Sequence, residues 1–250
     1  MTGGPDAEVR ACERGETKPR AYLADPLNPN SLSTWFRRRR DVALRSLIGS
    51  IAAATGGPVN ILDMGGTFEY WDRVGLDFLR EKRARIVLLN LLATDPCGLA
   101  GVEDLFECAL GDACRLPQVR DRQFDLAHSN SVIEHVETWS RMKAFAAETR
   151  RVARCYYLQT PYFWFPIDPH YHRMPMFHWF PRPIRARLLN ALPIAYTGRI
   201  AGVDRAFDVV DHARLLDGRQ FRFLFPDAEI RFERFAGVTK SLIAVRGLRG

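Results

Sequence analysis

From residue 59 to residue 160, short apolar runs alternate with stretches patterned as helices, and this alternation constrains the fold more than any other feature. Val59-Asn60-Ile61-Leu62-Asp63 is the first run. Arg85 to Asn90 contains Ile86-Val87-Leu88-Leu89, Phe106 to Leu110 is the third run, Phe124 to His128 the fourth and Cys155 to Thr160 the fifth. Between them, Trp71, Val74, Phe78 and Leu79 recur at helical spacing, and Trp139 to Val152 is an amphipathic stretch. Continuously apolar strands are buried on both faces, and parallel strands need helical crossovers, so the pattern predicts an α/β fold with a mostly parallel sheet covered on both sides. The C-terminus departs from this rhythm. Asp217 caps a short helix ending at Pro226; Glu229 to Phe235 and Ser241 to Val245 then follow with no helix between them, which predicts an antiparallel pair at the end of the sheet.

Ahead of the first strand, Asn28-Pro29-Asn30-Ser31 reads as a helix start. Leu32, Trp35, Phe36, Val42, Leu44, Leu47, Ile48 and Ile51 form its apolar stripe, and Gly56-Gly57-Pro58 is its stop. Residues 1–20 lack apolar periodicity and are expected to form a loose tail, leaving 21–250 as a single domain. A chain of 250 residues, 47% of them hydrophobic, supports one core with little room for a second. The longest uncharged stretch, Ser46 to Leu62, is interrupted by Gly56-Gly57-Pro58 and Asn60, so no membrane-spanning helix is expected. The N-terminus has no basic start followed by an apolar run, and no secretory signal is expected. Cys12, Cys97, Cys108, Cys114 and Cys155 are odd in number and form no Cys-x-x-Cys pair, which fits reduced thiols in a cytoplasmic protein.

The net charge of +7 rests on 36 basic residues, of which only Lys18, Lys82, Lys143 and Lys240 are lysines. Such an arginine excess could serve phosphate recognition, but a biased codon pool produces the same excess and is the favoured reading. Arg37-Arg38-Arg39-Arg40 would point around a helix and form no flat basic face. Residues 161–200 break the strand–helix rhythm with seven prolines and a concentration of aromatics that includes Tyr162, Phe163, Trp164, Phe165, Tyr171, Phe177, Trp179 and Phe180. An insertion after the fifth strand lies over the carboxyl end of the sheet, where open α/β sheets bind ligands, and it is expected to be a lid or substrate wall.

The first strand ends in Asp63-Met64-Gly65-Gly66-Thr67. Glycine there permits a tight turn and close approach of a ligand to the backbone. A dinucleotide fingerprint fails in both registers: after Gly65 the later glycines are replaced by Thr67 and Tyr70, and after Gly66 by Phe68 and Trp71. No Gly-Lys-Ser/Thr follows, which removes a phosphate-binding loop. A nucleoside ligand without a pyrophosphate remains.

This turn resembles motif I of the class I S-adenosylmethionine (SAM)-dependent methyltransferases, type 11-like, in a double-glycine variant. Gly111-Asp112-Ala113 with Leu116-Pro117 resembles the family's adenine-side loop, Phe124 to Val136 its fourth-strand block including a Glu134-His135 pair, and Lys240 to Arg246 its final strand. The resemblance covers about residues 31 to 250. It implies a Rossmann-like doubly wound sheet and SAM as cofactor. Asp63, Gly65, Gly66 and Thr67 would line its methionine and ribose parts. Asp112 would accept from the adenine amino group, with Ala113 beside it. Ser129 and Asn130 would meet the amino acid moiety, with His135 nearby. At the end of the second strand, where the family usually carries an acid for the ribose hydroxyls, stand Asn90 and Leu91. Without the resemblance, Asp63 reads as a helix cap, Asp112 as a turn residue, and Glu134-His135 as a helix start.

Methyl transfer needs alignment and exclusion of water, and a base only where the acceptor loses a proton. Candidates for that base crowd into Pro166-Ile167-Asp168-Pro169-His170-Tyr171-His172, with His178 nearby. The prolines predict an extended segment in which Asp168, His170 and His172 share a face, with Asp168 orienting a histidine base. The alternative is that these histidines bond the lid to the body. The same triplet could hold a divalent metal, but no further ligand is identifiable and no metal is expected. The aromatics and Arg173, Arg182, Arg185 and Arg187 suit a small-molecule or glycan-type acceptor with an apolar part and an anionic group, methylated on oxygen. Pro183 to Leu192, basic and apolar by turns, would also suit a membrane surface carrying a lipid-linked acceptor. Two alternatives remain: an RNA methyltransferase, for which no separate RNA-binding module is present, and a non-catalytic partner subunit, which Asn90 keeps open. Oligomeric state is not legible.

Overall fold

The computed structural model describes residues 32–92, 99, 101–171, 174–195 and 198–248. The expected tail, Asn28 to Ser31, Cys12, Cys97, His172 and Arg173 lie outside these residues. Helix α1 (Leu32–Thr55) ends at Gly56 and leads into β1 (Asn60–Met64). Next come α2 (Phe68–Val74), α3 (Leu76–Glu81), β2 (Arg85–Asn90), β3 (Phe106–Leu110) and β4 (Phe124–Asn130). A 3-10 turn (Ile133–His135), α4 (Trp139–Val152) and β5 (Ala153–Pro161) complete the regular part. The chain divides inside α1 into compact units of residues 1–45 and 46–250; the sheet and everything that follows belong to the second.

The single helix expected through Leu79 is two. Gly75, at φ 110°, separates α2 from α3 in a conformation that L side chains rarely adopt. Helix α4 has the expected bounds. Thr138 caps it by accepting from the Arg141 N–H at 3.2 Å, and its inward face presents Met142, Phe145, Ala146 and Thr149.

The seven strands form one sheet in the order β3-β2-β1-β4-β5-β7-β6, where β6 is Glu229–Phe235 and β7 is Val238–Arg246. Strands β1 to β5 pair in parallel, and β7 runs antiparallel to both β5 and β6. The expected antiparallel pair is present: the chain passes first to the edge as β6 and returns to insert β7 beside β5. Burial explains the order. Leu242, Ile243, Ala244 and Val245 are all buried, as an inner strand requires, whereas β6 is exposed or half-buried along its length. Helix α7 (Gly218–Leu224), held by an Asp217–Gln220 capping box, packs Phe221 and Leu224 with Phe145, Tyr156 and Leu242 in the core on one face.

Between β5 and α7 lies the proline- and aromatic-rich insertion. Pro169–Tyr171 and Phe177–Trp179 form 3-10 turns, followed by α5 (Arg182–Ala191) and α6 (Val203–Asp211). Tyr171, Phe177, Leu189, Ile194, Ala206 and Val210 make a small core of their own. The insertion therefore runs past residue 200, because α6 supplies the side chains that close this core. Its start is not extended as the prolines predict. Pro169 opens a helical turn that Asp168 holds by accepting from the His170 N–H at 2.9 Å.

Candidate active site

The chain runs outward from β1 to β2 and β3, then returns to place β4 on the other side of β1. Neighbouring connections thus diverge between β1 and β4, leaving a crevice at their carboxyl ends. Asp63 and His128 are partners in the β1–β4 register. Asp63 Oδ1 lies 2.7 Å from His128 Nδ1, and Oδ2 accepts from Trp71 Nε1 at 2.6 Å. The resemblance places Asp63 among the cofactor-lining groups. Its carboxylate instead lies fully buried beneath the turn, and Gly66 sits directly on it: a Cβ at Gly66 would fall 1.6 Å from Oδ2.

Gly65 has a different constraint. Its φ is +81°, its N–H donates to Leu89 O at 2.8 Å, and a Cβ would come within 2.7 Å of Val132 from the β4 loop. Neither position admits a side chain, so bare backbone faces the crevice. Thr67 precedes α2 without a side-chain capping bond. Asn90, closing β2, donates from Nδ2 to Gly66 O at 3.0 Å, a bond an aspartate could not make. Its side-chain carbonyl is not used in that bond and remains an acceptor at the same edge. Leu91 beyond it is exposed.

Asp112 follows β3. Its Oδ1 accepts from the Cys114 N–H at 2.9 Å, and Arg141 Nη2 lies 3.2 and 3.1 Å from its two oxygens. Burial pushes the Asp112 carboxyl up, but the Cys114 amide and the Arg141 guanidinium outweigh it and hold the group below the usual carboxylate range. Ala113 is half-buried beside the core. Ser129 is buried, with Oγ donating to Met64 O at 2.9 Å, and Asn130 ends β4 half-exposed. Gly65, Gly66, Asn90, Asp112 and Asn130 thus stand at the carboxyl ends of four adjacent strands.

A second group meets beyond β4. His135 Nδ1 lies 3.1 Å from His212 O, its Nε2 lies 3.3 Å from His170 Nε2, and His170 Nδ1 lies 2.7 Å from Asp168 Oδ1. A carbonyl only accepts, so His135 donates through Nδ1, and its neutral ring offers Nε2 as an acceptor. His170 Nε2 must then donate to it. Because a carboxylate also only accepts, both His170 nitrogens carry protons, and the arrangement holds His170 as imidazolium. The electrostatics run the same way. Burial pulls the His170 pKa down, yet the Asp168 hydrogen bond and charge, with Glu134 behind, leave it raised. Burial and the neighbouring His170 charge lower His135 to about 4 against the pull of the His212 carbonyl. Glu134 is fully buried, accepts from Thr160 Oγ1 at 2.9 Å, and is pushed up to about 7 by burial.

His135 is therefore brought to His170. His178 donates from Nε2 to Phe163 O at 2.7 Å, with Nδ1 4.0 Å from Asp168 Oδ2. Among the described residues no three His, Cys, Asp or Glu side chains group as metal ligands would; His172 is outside that set. Sequence reasoning misses His128 and His212. His128 leaves a trace, as a histidine next to Leu126-Ala127 in the fourth strand, whereas His212 contributes through its backbone and leaves none.

Residues 83–155 match the family model described as "Methyltransferase domain". A comparison with curated proteins returns no match. Among solved structures, the chain is similar to PH0226 protein from Pyrococcus horikoshii OT3 at 14% identity, covering 89% of this chain and 97% of that one, with a TM-score of 0.50. It is also similar to WbdD at 15% identity and a TM-score of 0.54, covering 91% of this chain and 38% of that one. A 1,6-didemethyltoxoflavin-N1-methyltransferase from Burkholderia thailandensis with bound S-adenosylhomocysteine is 14% identical over 90% of this chain and 92% of that one, with a TM-score of 0.46. At these identities the likeness concerns the fold, and the bound molecule describes that neighbour alone. Residues 83–155 thus match a methyltransferase domain model, and they belong to a Rossmann-like sheet whose β1–β4 crevice carries the glycine turn.

Proposed function

We propose that the chain uses SAM to methylate a small-molecule or glycan-type acceptor in the cytoplasm, with a hydroxyl oxygen as the favoured target. The observation that carries the choice of oxygen is the Asp168–His170–His135 hydrogen-bond chain beyond β4, since a hydroxyl must lose a proton when it is methylated. The cofactor, when bound, supplies a methyl group activated by its positive sulfur. The residues present suit it. The Gly65–Gly66 turn and Thr67 offer bare backbone, and the Asn90 carbonyl, with Leu91 beside it, can accept from a ribose hydroxyl. Asp112 can accept from an amino group beside Ala113, and Ser129 and Asn130 present their backbone at the end of β4.

His135 Nε2 is the lone pair the cluster offers, so the base role passes from His170 to His135. An acceptor hydroxyl that displaces His170 from that lone pair takes its place as donor. Asp168 keeps His170 oriented and charged close by. Acceptors carried on a lipid fall within the same reading, because the insertion that supplies Asp168 and His170 also exposes apolar side chains.

Calorimetric titration with SAM and S-adenosylhomocysteine, with NAD as control, tests the cofactor. No heat and no thermal stabilisation would remove the methyltransferase reading and favour a partner subunit. His135→Gln and His170→Gln are expected to lower turnover of a hydroxyl acceptor by about 100-fold or more while leaving SAM affinity unchanged. Full turnover in both variants would remove the proton-transfer role.

A further inference from the structure

Between Asp168 and Asp204 the sequence contains no acidic residue, but it holds five arginines: Arg173, Arg182, Arg185, Arg187 and Arg199. The apolar side chains of this segment divide into two sets. One turns inward and forms the insertion's own core around Tyr171, Phe177 and Leu189. The other stands outward: Ile167, Met176, Trp179, Phe180 and Ile184, with Trp164 just upstream. Trp164 is 55% exposed and Ile184 43%.

These outward residues are neighbours. The Trp164 and Trp179 rings lie 6.0 Å apart, and the Met176 N–H donates to Pro166 O at 2.6 Å, folding residues 164–167 against the 176–180 turn. Phe180 leads directly into α5, whose buried side carries Ala186 and Leu189 while Ile184 and Arg187 face out. Arg182 pairs with Asp211 of α6, and Arg187 is exposed.

We infer that this outward face docks on an anionic lipid surface. Its chemistry suits such a surface on two counts. Tryptophan rings, apolar with one polar N–H, settle at the boundary between headgroups and acyl chains. The exposed Arg187 and Arg199 supply positive charge for anionic headgroups, whereas Arg182 is paired with Asp211 and Arg185 is half-buried. Among the described residues no helix is long and apolar enough to cross a membrane, so the contact is peripheral. The docking itself does not depend on methyl transfer. Its consequence, that the acceptor is presented at the membrane to the Asp168–His170 cluster on the same segment, does rest on that reading.

Co-sedimentation of the full chain with phosphatidylcholine vesicles, with and without phosphatidylglycerol, tests the inference. Partition onto the mixed vesicles, weak partition onto phosphatidylcholine alone, and a blue shift of tryptophan emission are expected. Ile184→Asp and Arg187→Glu both replace exposed side chains, and each is expected to lower partition by about tenfold. No partition onto either vesicle would overturn the inference, as would unchanged partition in both variants. A dimer in solution that these variants convert to monomer, without lipid binding, would assign the face to a second copy instead. Loss of SAM binding would leave the vesicle result untouched, so the two readings fail separately.

Discussion

Beneath the Gly65–Gly66 turn, the sheet register pairs Asp63, His128 Nδ1 and Asn90 with their neighbours, while His128 Nε2 is buried without a hydrogen-bond partner among the described residues. Asp63 on β1 meets His128 opposite it on β4, and Asn90 at the end of β2 reaches Gly66 O. In the insertion, Asp168 and His170 are joined by a single 3-10 turn, and their partners His135 and His212 come from separate parts of the chain. The turn is thus braced from below by buried side chains and leaves backbone facing the crevice. The cluster holds Asp168 and Glu134 buried and His135 and His170 half-buried, and balances their charges against one another. A nucleoside site needs fixed shape, whereas a proton-handling site needs groups whose charge can change, and the two regions differ accordingly.

The strongest way to break this contrast is at the turn. Gly66→Ala places a methyl group on the Asp63 carboxylate and is expected to destabilise the fold by about 3 kcal/mol. Asp63→Ala leaves Trp71 Nε1 and His128 Nδ1 buried without their partner and is expected to cost about 2 to 4 kcal/mol. Because the two residues share one contact, the double variant should lose less than the sum; urea unfolding showing plain additivity would mean the turn is not braced by Asp63.

The cluster is probed next by pH. Burial pushes Glu134 from the ordinary glutamate value of 4.5 up to about 7, so between those values the folded state binds more protons than the unfolded state. Its contribution is fully present below 4.5 and is lost as pH rises through about 7, a difference of about 3 kcal/mol. Glu134→Gln removes this slope, so its stability relative to the parent should grow from pH 4 to pH 8. The difference between the two curves isolates Glu134 from His135, lowered to about 4, whose own effect has the opposite sign: stability is lost as pH falls from 6.5 toward 4.

A smaller effect separates the Asn90 reading from the family pattern. Asn90→Asp restores an acid for the ribose but loses the bond to Gly66 O and sets a carboxylate against that carbonyl. SAM affinity by calorimetry is expected to fall about tenfold, where a ribose-only role predicts a rise. The smallest change is spectroscopic. Histidine NMR titration should place His170 above and His135 below an ordinary imidazole, and Asp168→Asn should bring His170 down. The His170 contribution to stability is present below its unfolded pKa of about 6.5 and is lost as pH rises through its raised folded value. In Asp168→Asn that upper loss should flatten.

The sequence by itself determined the parallel sheet, because continuous apolar runs such as Ile86-Val87-Leu88-Leu89 can be buried only in an inner strand. It also determined the glycine turn, because the constraints on Gly65 and Gly66 come from strand ends whose order the fold class already implies. Other features were local but ambiguous: Gly75 splits a helix that periodicity joins, and Pro169 starts a turn where it reads as a stiffener. Tertiary structure alone decided that β7 lies inside β6, that α6 closes the insertion's core, and that Asp63 faces inward. It alone brought His135 and His170 together and made one a donor and the other an acceptor. Pairing across 35 residues depends on where two irregular segments pack, and no periodicity within either segment records that.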